Sequence, residues 1–177
     1  YRTQHNIKTI SVILASVYGP NDNFNPESSQ VMASMISRFA HAHDLGQEKV
    51  ACWGTGKPTR EFIHVRDAVI GLLYAGIYYD AQEPLNIGSG KEIKINKIAK
   101  LIGGKRIHIP KRPGEPDRSL ADISKIKKDL NWSPKIKIEE GINDLLSKIR
   151  YWKTAPVWTP KSIKIATKIW FKILKKK

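Results

Sequence analysis

The chain has 177 residues, 41% of them hydrophobic and 27% charged, with a net charge of +15. That length suits one ordinary domain with a real core, and that composition excludes wholesale disorder. No apolar run reaches the roughly 18–20 residues of a membrane span, and a single cysteine, Cys52, excludes a disulfide framework or a cysteine-built zinc site.

The positive excess invites nucleic acid or an anionic surface as partner, but it is unevenly placed. Residues 151–177 hold eight lysines and no acid, more than half of the excess in a short terminal segment. A basic main domain is therefore a weak case, and nucleic acid is not the expected partner. The sequence opens with Tyr1 and at once reaches the β-type run Ile10-Ser11-Val12-Ile13-Leu14. The expectation is a record that begins inside a larger protein, with no secretory signal and a reducing, cytoplasmic setting.

Strand and helix alternate along the chain. Residues 7–14 are β-branched and nearly all apolar, the pattern of a buried strand. The turn-rich Tyr18-Gly19-Pro20-Asn21-Asp22-Asn23 follows, then a helix over 28–43, with Val31, Met35, Ile36 and Phe39 about one turn apart. Lys49 to Trp53 is a short strand closed by Gly54-Thr55-Gly56-Lys57-Pro58. Arg60 to Val65 alternates like a half-buried strand, and Asp67 can cap the helix that carries Val69, Leu72, Leu73 and Ile77. Leu85 to Ile87 is a strand, Ile95 to Ile102 a helix and Ile107 to Ile109 a strand. A Pro/Gly-rich loop holding Arg112 and Arg118 precedes helices over 123–130 and 138–151. This alternation predicts an α/β fold.

No G-x-G-x-x-G occurs; Gly88-Ser89-Gly90 lacks a third glycine and reads as a turn. No tyrosine has a lysine four places on, so the acid/base pair of many dehydrogenases is absent from this sequence. Arg60, Arg112 and Arg118 sit in or beside loops at strand ends, where guanidinium forks can meet phosphate oxygens. On spacing alone, solvated surface arginine is the simpler reading. Trp53 could stack on a base or sugar, although a lone aromatic more often packs. The five histidines form no metal set, and Cys52 sits in an apolar strand as an inert thiol would. Beyond Thr159-Pro160 lies a basic amphipathic helix with lysines on one face. It is read as packed on its own domain, with membrane-surface contact as the alternative.

Several segments together resemble the extended short-chain dehydrogenase/reductase superfamily. They are Val17-Tyr18-Gly19-Pro20-Asn21-Asp22-Asn23-Phe24, Trp53-Gly54-Thr55-Gly56-Lys57-Pro58-Thr59-Arg60-Glu61-Phe62-Ile63-His64-Val65-Arg66-Asp67-Ala68 and Leu85-Asn86-Ile87-Gly88-Ser89-Gly90. Arg112-Pro113-Gly114-Glu115-Pro116, Ala121-Asp122-Ile123-Ser124-Lys125 and Leu130-Asn131-Trp132-Ser133-Pro134 continue the likeness. Within that superfamily the chain resembles nucleotide-sugar epimerases and dehydratases, its first two segments being similar to the GDP-L-fucose synthase group. The resemblance implies the last strands of a Rossmann-type parallel sheet plus the smaller α/β substrate-binding domain. It runs over residues 1–152, with 153–177 as the basic terminal helix.

The resemblance also implies a division of labour. NAD or NADP is held mainly by an amino-terminal Rossmann half, which carries the Tyr-x-x-x-Lys chemistry; Leu14, Ser16 and Val17 line the nicotinamide end. Arg60 and Arg112 match arginines that meet the diphosphate of a nucleotide diphosphate sugar. Arg38 and Trp53 match substrate-side positions. Gln30 stands where the fucose synthase group has a histidine acid, and an amide cannot exchange a proton near neutral pH. Catalytic residues and a metal are therefore not expected in this chain, which alone would be inactive; the full-length enzyme would be a homodimer. The alternative is a stand-alone sugar-nucleotide-binding module, or one associating with membrane or nucleic acid.

Overall fold

The computed structural model describes residues 2–25, 29–44, 49–103, 105–109 and 116–148. In chain order the elements are α1 (Arg2–His5), β1 (Val12–Leu14), β2 (Ser16–Tyr18), α2 (Val31–Asp44), β3 (Lys49–Trp53), β4 (Thr59–His64), α3 (Val65–Tyr78), β5 (Leu85–Ile87), β6 (Glu92–Lys94), α4 (Ile95–Ile102), β7 (Lys105–Ile109), α5 (Ser124–Leu130) and α6 (Ile138–Ser147).

Parallel pairing dominates, with helices in the crossovers, as an α/β chain requires. β1 runs parallel to β5, Val12 opposite Leu85 and Leu14 opposite Ile87. β2 runs parallel to β4, Ser16 opposite Phe62 and Tyr18 opposite His64. β3 runs parallel to β7. β6 adds to β4 antiparallel, Arg60 facing Ile93 and Glu61 facing Glu92.

β4 separates two cores, and its period of two deals its side chains between them. Phe62 joins Tyr18, Met32, Ile36, Phe39, Ile98, Ile142 and Leu145 in the core formed with α2, α4 and α6. Ile63 joins Leu85, Ile87, Ile126 and Trp132 in the core formed with α3, β5 and α5. Two glycines allow this closeness. A Cβ on Gly141 of α6 would lie 2.1 Å from the Tyr18 hydroxyl, and one on Gly88 would lie 2.3 Å from Glu61 Oε1.

The structure departs from the sequence expectations in several places: it adds α1, β2 and β6, and it buries both faces of β4, which was expected to be half-buried. The strand expected over 7–14 is confined to Val12–Leu14, and it is not buried: Ile13 is 57% exposed and Leu14 43%. Among the described residues β1 has β5 as its one strand neighbour, which leaves an apolar strand without cover. α2 starts at Val31 rather than 28. Asp67 does not cap α3. His64 does, its Nδ1 accepting from the Arg66 amide at 3.3 Å. The terminal helix and residues 149–177 lie outside the described residues.

Candidate functional site

Of the expected site residues, Leu14, Ser16, Val17 and Arg60 fall at one end of the β1–β2 and β4 strands, and Arg38 falls on α2. β2 opposes Phe62 with Ser16, so Arg60, two residues earlier on β4, lies at the end of this pair where Leu14, Ser16 and Val17 connect β1 to β2. Ser16 and Val17 are half-buried, and the amide of Ala15 between the strands donates to the Ile87 carbonyl at 2.9 Å. Arg60 is buried to 9% exposure, and its Nη1 donates to the Thr59 carbonyl at 2.8 Å. By the alternation of β4 it belongs to the same side as Phe62. That is the side of α2, where Arg38 sits half-buried one residue before the core residue Phe39. Gln30 is exposed, and its carbonyl accepts from the Ser34 amide at 2.8 Å at the start of α2. Trp53 ends β3 opposite Ile109; nothing further of its side chain is described.

Arg112 lies outside the described residues, but the chain just beyond it does not. The Thr59 amide donates to the Asp117 carbonyl at 2.9 Å, and Thr59 bridges to Arg118. Arg118 Nε donates to Glu92 at 2.8 Å, and the Thr59 hydroxyl donates to the same carboxylate oxygen at 2.9 Å. The Glu92 carboxyl is held below its ordinary range by these donors, Arg118 first. The loop is thus pinned, six residues after Arg112, to the residue that precedes Arg60. Arg118, grouped with the loop arginines on sequence, is spent on Glu92 rather than directed at the Arg60 side.

The residue that organises this end is Glu61, whose role the sequence pattern did not reveal. Its side chain is 2% exposed on the face of β4 opposite Arg60. It accepts from the Gly90 amide at 2.6 Å, from the Ala121 amide, and from the Ser89 hydroxyl at 3.4 Å. One carboxylate therefore fixes the Gly88-Ser89-Gly90 turn after β5 and the segment entering α5. A second, Asp67, accepts from the amides of Lys135 and Ile136 at 3.1 and 2.8 Å and ties the segment before α6 to α3. Glu61 lies between Arg60 and Phe62 on a strand buried along both faces, and a buried carboxylate demands donors.

A buried polar group lies behind Arg60. The Tyr18 ring meets His64 edge-on, centroids 5.3 Å apart, and Phe62 at 6.3 Å. Burial pushes the Tyr18 phenol up, with the charges of Asp67, Glu139 and Glu140 adding to it. Burial pushes the His64 imidazole down, with Arg66 adding to that effect. The loop after β2 carries Asp22, whose carboxyl is pushed up by burial while it accepts from the Asn23 amide at 2.7 Å. Among the described residues no cluster of His, Cys, Asp and Glu could hold a metal. No described helix is long and apolar enough to cross a membrane.

Residues 1–88, which contain this strand end, match the model of the NAD dependent epimerase/dehydratase family. Those residues carry that family's domain. Among curated relatives, GDP-L-fucose synthase 1 of Arabidopsis thaliana is 39% identical over 149 residues, covering 81% of this chain and 46% of the relative. The probable GDP-L-fucose synthase 1 of Oryza sativa is 38% identical over 148 residues, with 80% and 45% covered. The chain thus spans about half the length of the curated relatives it matches. Among solved structures, the UDP-glucose 4-epimerase of Thermotoga maritima with UDP-glucose superposes with a TM-score of 0.73 at 28% identity, over 86% of this chain and 48% of that one. The NADP-bound GDP-L-fucose synthetase of Naegleria fowleri, at 24% identity and a TM-score of 0.72, covers 82% of this chain and 47% of its own. It shares the fold. The Rossmann-type α/β class expected from the sequence is the class found.

Proposed function

We propose that this chain forms the nucleotide-sugar-binding half of an NAD(P)-dependent epimerase, dehydratase or reductase. The observation that carries the reading is Arg60. A guanidinium at 9% exposure, on the same end of the strands as Leu14–Val17, is an expensive group to bury and a strong one to present to a diphosphate. Arg112, matched by the resemblance to a second diphosphate arginine, is the partner this reading assigns to Arg60. Arg38 of α2 and Trp53 at the end of β3 are the further residues this reading assigns to the substrate side.

Leu14, exposed, and Ser16 and Val17, half-buried, are the residues this reading assigns to the nicotinamide end of the dinucleotide, as the resemblance implies. The chain has no glycine-rich phosphate turn and no Tyr-x-x-x-Lys pair, so the greater part of the hold and the proton transfer belong to a complementary Rossmann half. The nicotinamide, when bound, supplies hydride transfer. The residues of this chain bind the diphosphate, orient the sugar and exclude water from it. Gln30 cannot act as an acid, so a route that needs a proton from that position is not this chain's.

Calorimetric titration with UDP-glucose and GDP-mannose, of the chain alone and mixed with a complementary family half, tests the proposal. Saturable heat that falls with Arg60→Ala is expected. No heat from either mixture at millimolar ligand would overturn it.

A further inference from the structure

Trp53 and Arg60, which the proposed function assigns to the substrate side, lie on different sheets. Trp53 ends β3, which pairs with β7, while Arg60 belongs to β4, which pairs with β2 and β6. Among the described residues the two sheets share no strand. The turn over residues 54–58 joins them, so the span between Trp53 and Arg60 depends on how that turn is held. It is held from α4, which follows β6 directly. The Asn96 amide donates to the Gly56 carbonyl at 2.9 Å and the Ile95 amide to the Pro58 carbonyl at 3.1 Å. The first amides of a helix have no acceptor inside it, and here the turn supplies one to each. The half-buried Asn96 adds its side chain, Nδ2 donating to the Thr55 carbonyl at 3.0 Å, 41 residues back along the chain. Gly56 permits the fit: its φ is +66°, and a Cβ there would lie 2.1 Å from Asn96 Oδ1. On β7, His108 Nδ1 lies 2.8 Å from the Gly54 carbonyl, and since a carbonyl only accepts, that nitrogen carries the proton.

We infer that Asn96 is a positioning residue for the candidate site, fixing the 54–58 turn so that the Trp53 end of β3 keeps its place relative to Arg60. The residue type supports this role. Asparagine is a poor helix former, and an acid would suit the first turn of α4 better, because the helix dipole favours negative charge there. Neither alanine nor a carboxylate could donate to the Thr55 carbonyl. The side chain therefore answers to the turn rather than to the helix that carries it. Arg60 is held separately, by the β4–β6 ladder and by its bond to the Thr59 carbonyl. The end that depends on Asn96 is thus the Trp53 end, where the proposed function puts the base or sugar. The inference rests on that reading, and the two can fail separately.

The test titrates UDP-glucose into the full chain mixed with a complementary family half. Asn96→Ala should lower the affinity about 3- to 10-fold, the range of one neutral hydrogen bond, while circular dichroism stays unchanged, because alanine favours α4. In a Trp53→Ala background the same substitution should cost nothing further, since a residue that acts through Trp53 has nothing left to position. Equal losses in both backgrounds would overturn the inference. A second measurement needs no ligand. In the full chain labelled with 5-fluorotryptophan, the fluorine resonance that disappears in Trp53→Phe belongs to Trp53. It should shift or broaden in Asn96→Ala and in Gly56→Ala, while that of the core residue Trp132 stays in place. A Trp53 resonance that ignores both substitutions would overturn the inference. A resonance that moves in a chain giving no heat with UDP-glucose would uphold the positioning by Asn96 and refute the nucleotide-sugar reading alone.

Discussion

Replacing Glu61 by Gln removes one negative charge and little volume from the residue that clamps two loops. In the native chain its carboxylate accepts from the amides of Gly90 and Ala121 and from the Ser89 hydroxyl, at 2% exposure. A glutamine carbonyl can accept from one amide, but its NH2 must then face the other, donor against donor. Hydrogen bonds to a charged group contribute about 1.5–3 kcal/mol each, and a buried amide left without an acceptor costs about 1–3 kcal/mol. The expected loss for Glu61→Gln is thus about 2–4 kcal/mol, with Glu61→Ala worse because both amides lose their acceptor. Urea unfolding of the full chain followed by circular dichroism gives the difference at constant slope. Hydrogen exchange should locate it, with the Gly90 and Ala121 amides losing protection first. A Glu61→Gln chain within about 0.5 kcal/mol of the parent, which is the scatter of ordinary surface substitutions, would refute the claim that this carboxylate organises the site.

Two further outcomes follow from the packing behind Arg60. Gly141→Ala places a methyl where the Tyr18 hydroxyl stands, so α6 must shift from the sheet; overpacking of this kind costs about 1–3 kcal/mol, and an unchanged melting temperature would contradict the close approach. His64 is neutral in the fold, because its Nδ1 must keep a lone pair for the Arg66 amide and burial disfavours the charged ring. Its pKa is lower folded than unfolded, so its stabilisation is complete above the ordinary histidine pKa, near 6.5, and is lost as pH falls from there toward the folded value. Stability should decline as pH falls below about 6.5, with Asp67 and Asp144 opposing the effect and Arg66 and Lys148 adding to it. In His64→Asn, which keeps a capping acceptor, that slope should flatten. An equal slope in parent and variant would assign the pH dependence elsewhere.

How far the sequence could be read depends on where each signal came from. β3, α4 and β5 were legible to the residue because their apolar spacing ends in Gly/Pro turns or a helical repeat. β6 was not: of Glu92-Ile93-Lys94 one residue is buried, too little to show a period. β2 was hidden because Tyr18 opens a turn motif as well as closing a strand. The segment 7–14 reads as a strand covered on both sides, and its exposure in the structure is a statement about neighbours that composition cannot make. At the site, Arg60 was legible as a loop-edge arginine, whereas its burial depended on β4 lying between two cores. Glu61 and Asp67 were visible only as acids. Their donors are the amides of residues 29 to 69 positions away, which only the fold brings near.

The central claim is that Arg60 and its loop present charge to a nucleotide sugar's diphosphate. Phosphorus NMR of UDP-glucose titrated with the chain joined to its complementary half reads that contact at the atoms concerned. Both phosphorus resonances should shift and broaden saturably. In Arg60→Ala the midpoint should move by about 10- to 150-fold, the equivalent of the 1.5–3 kcal/mol of a charged hydrogen bond. Phosphorus resonances that do not respond, or that respond equally with Arg60→Ala, would contradict the account.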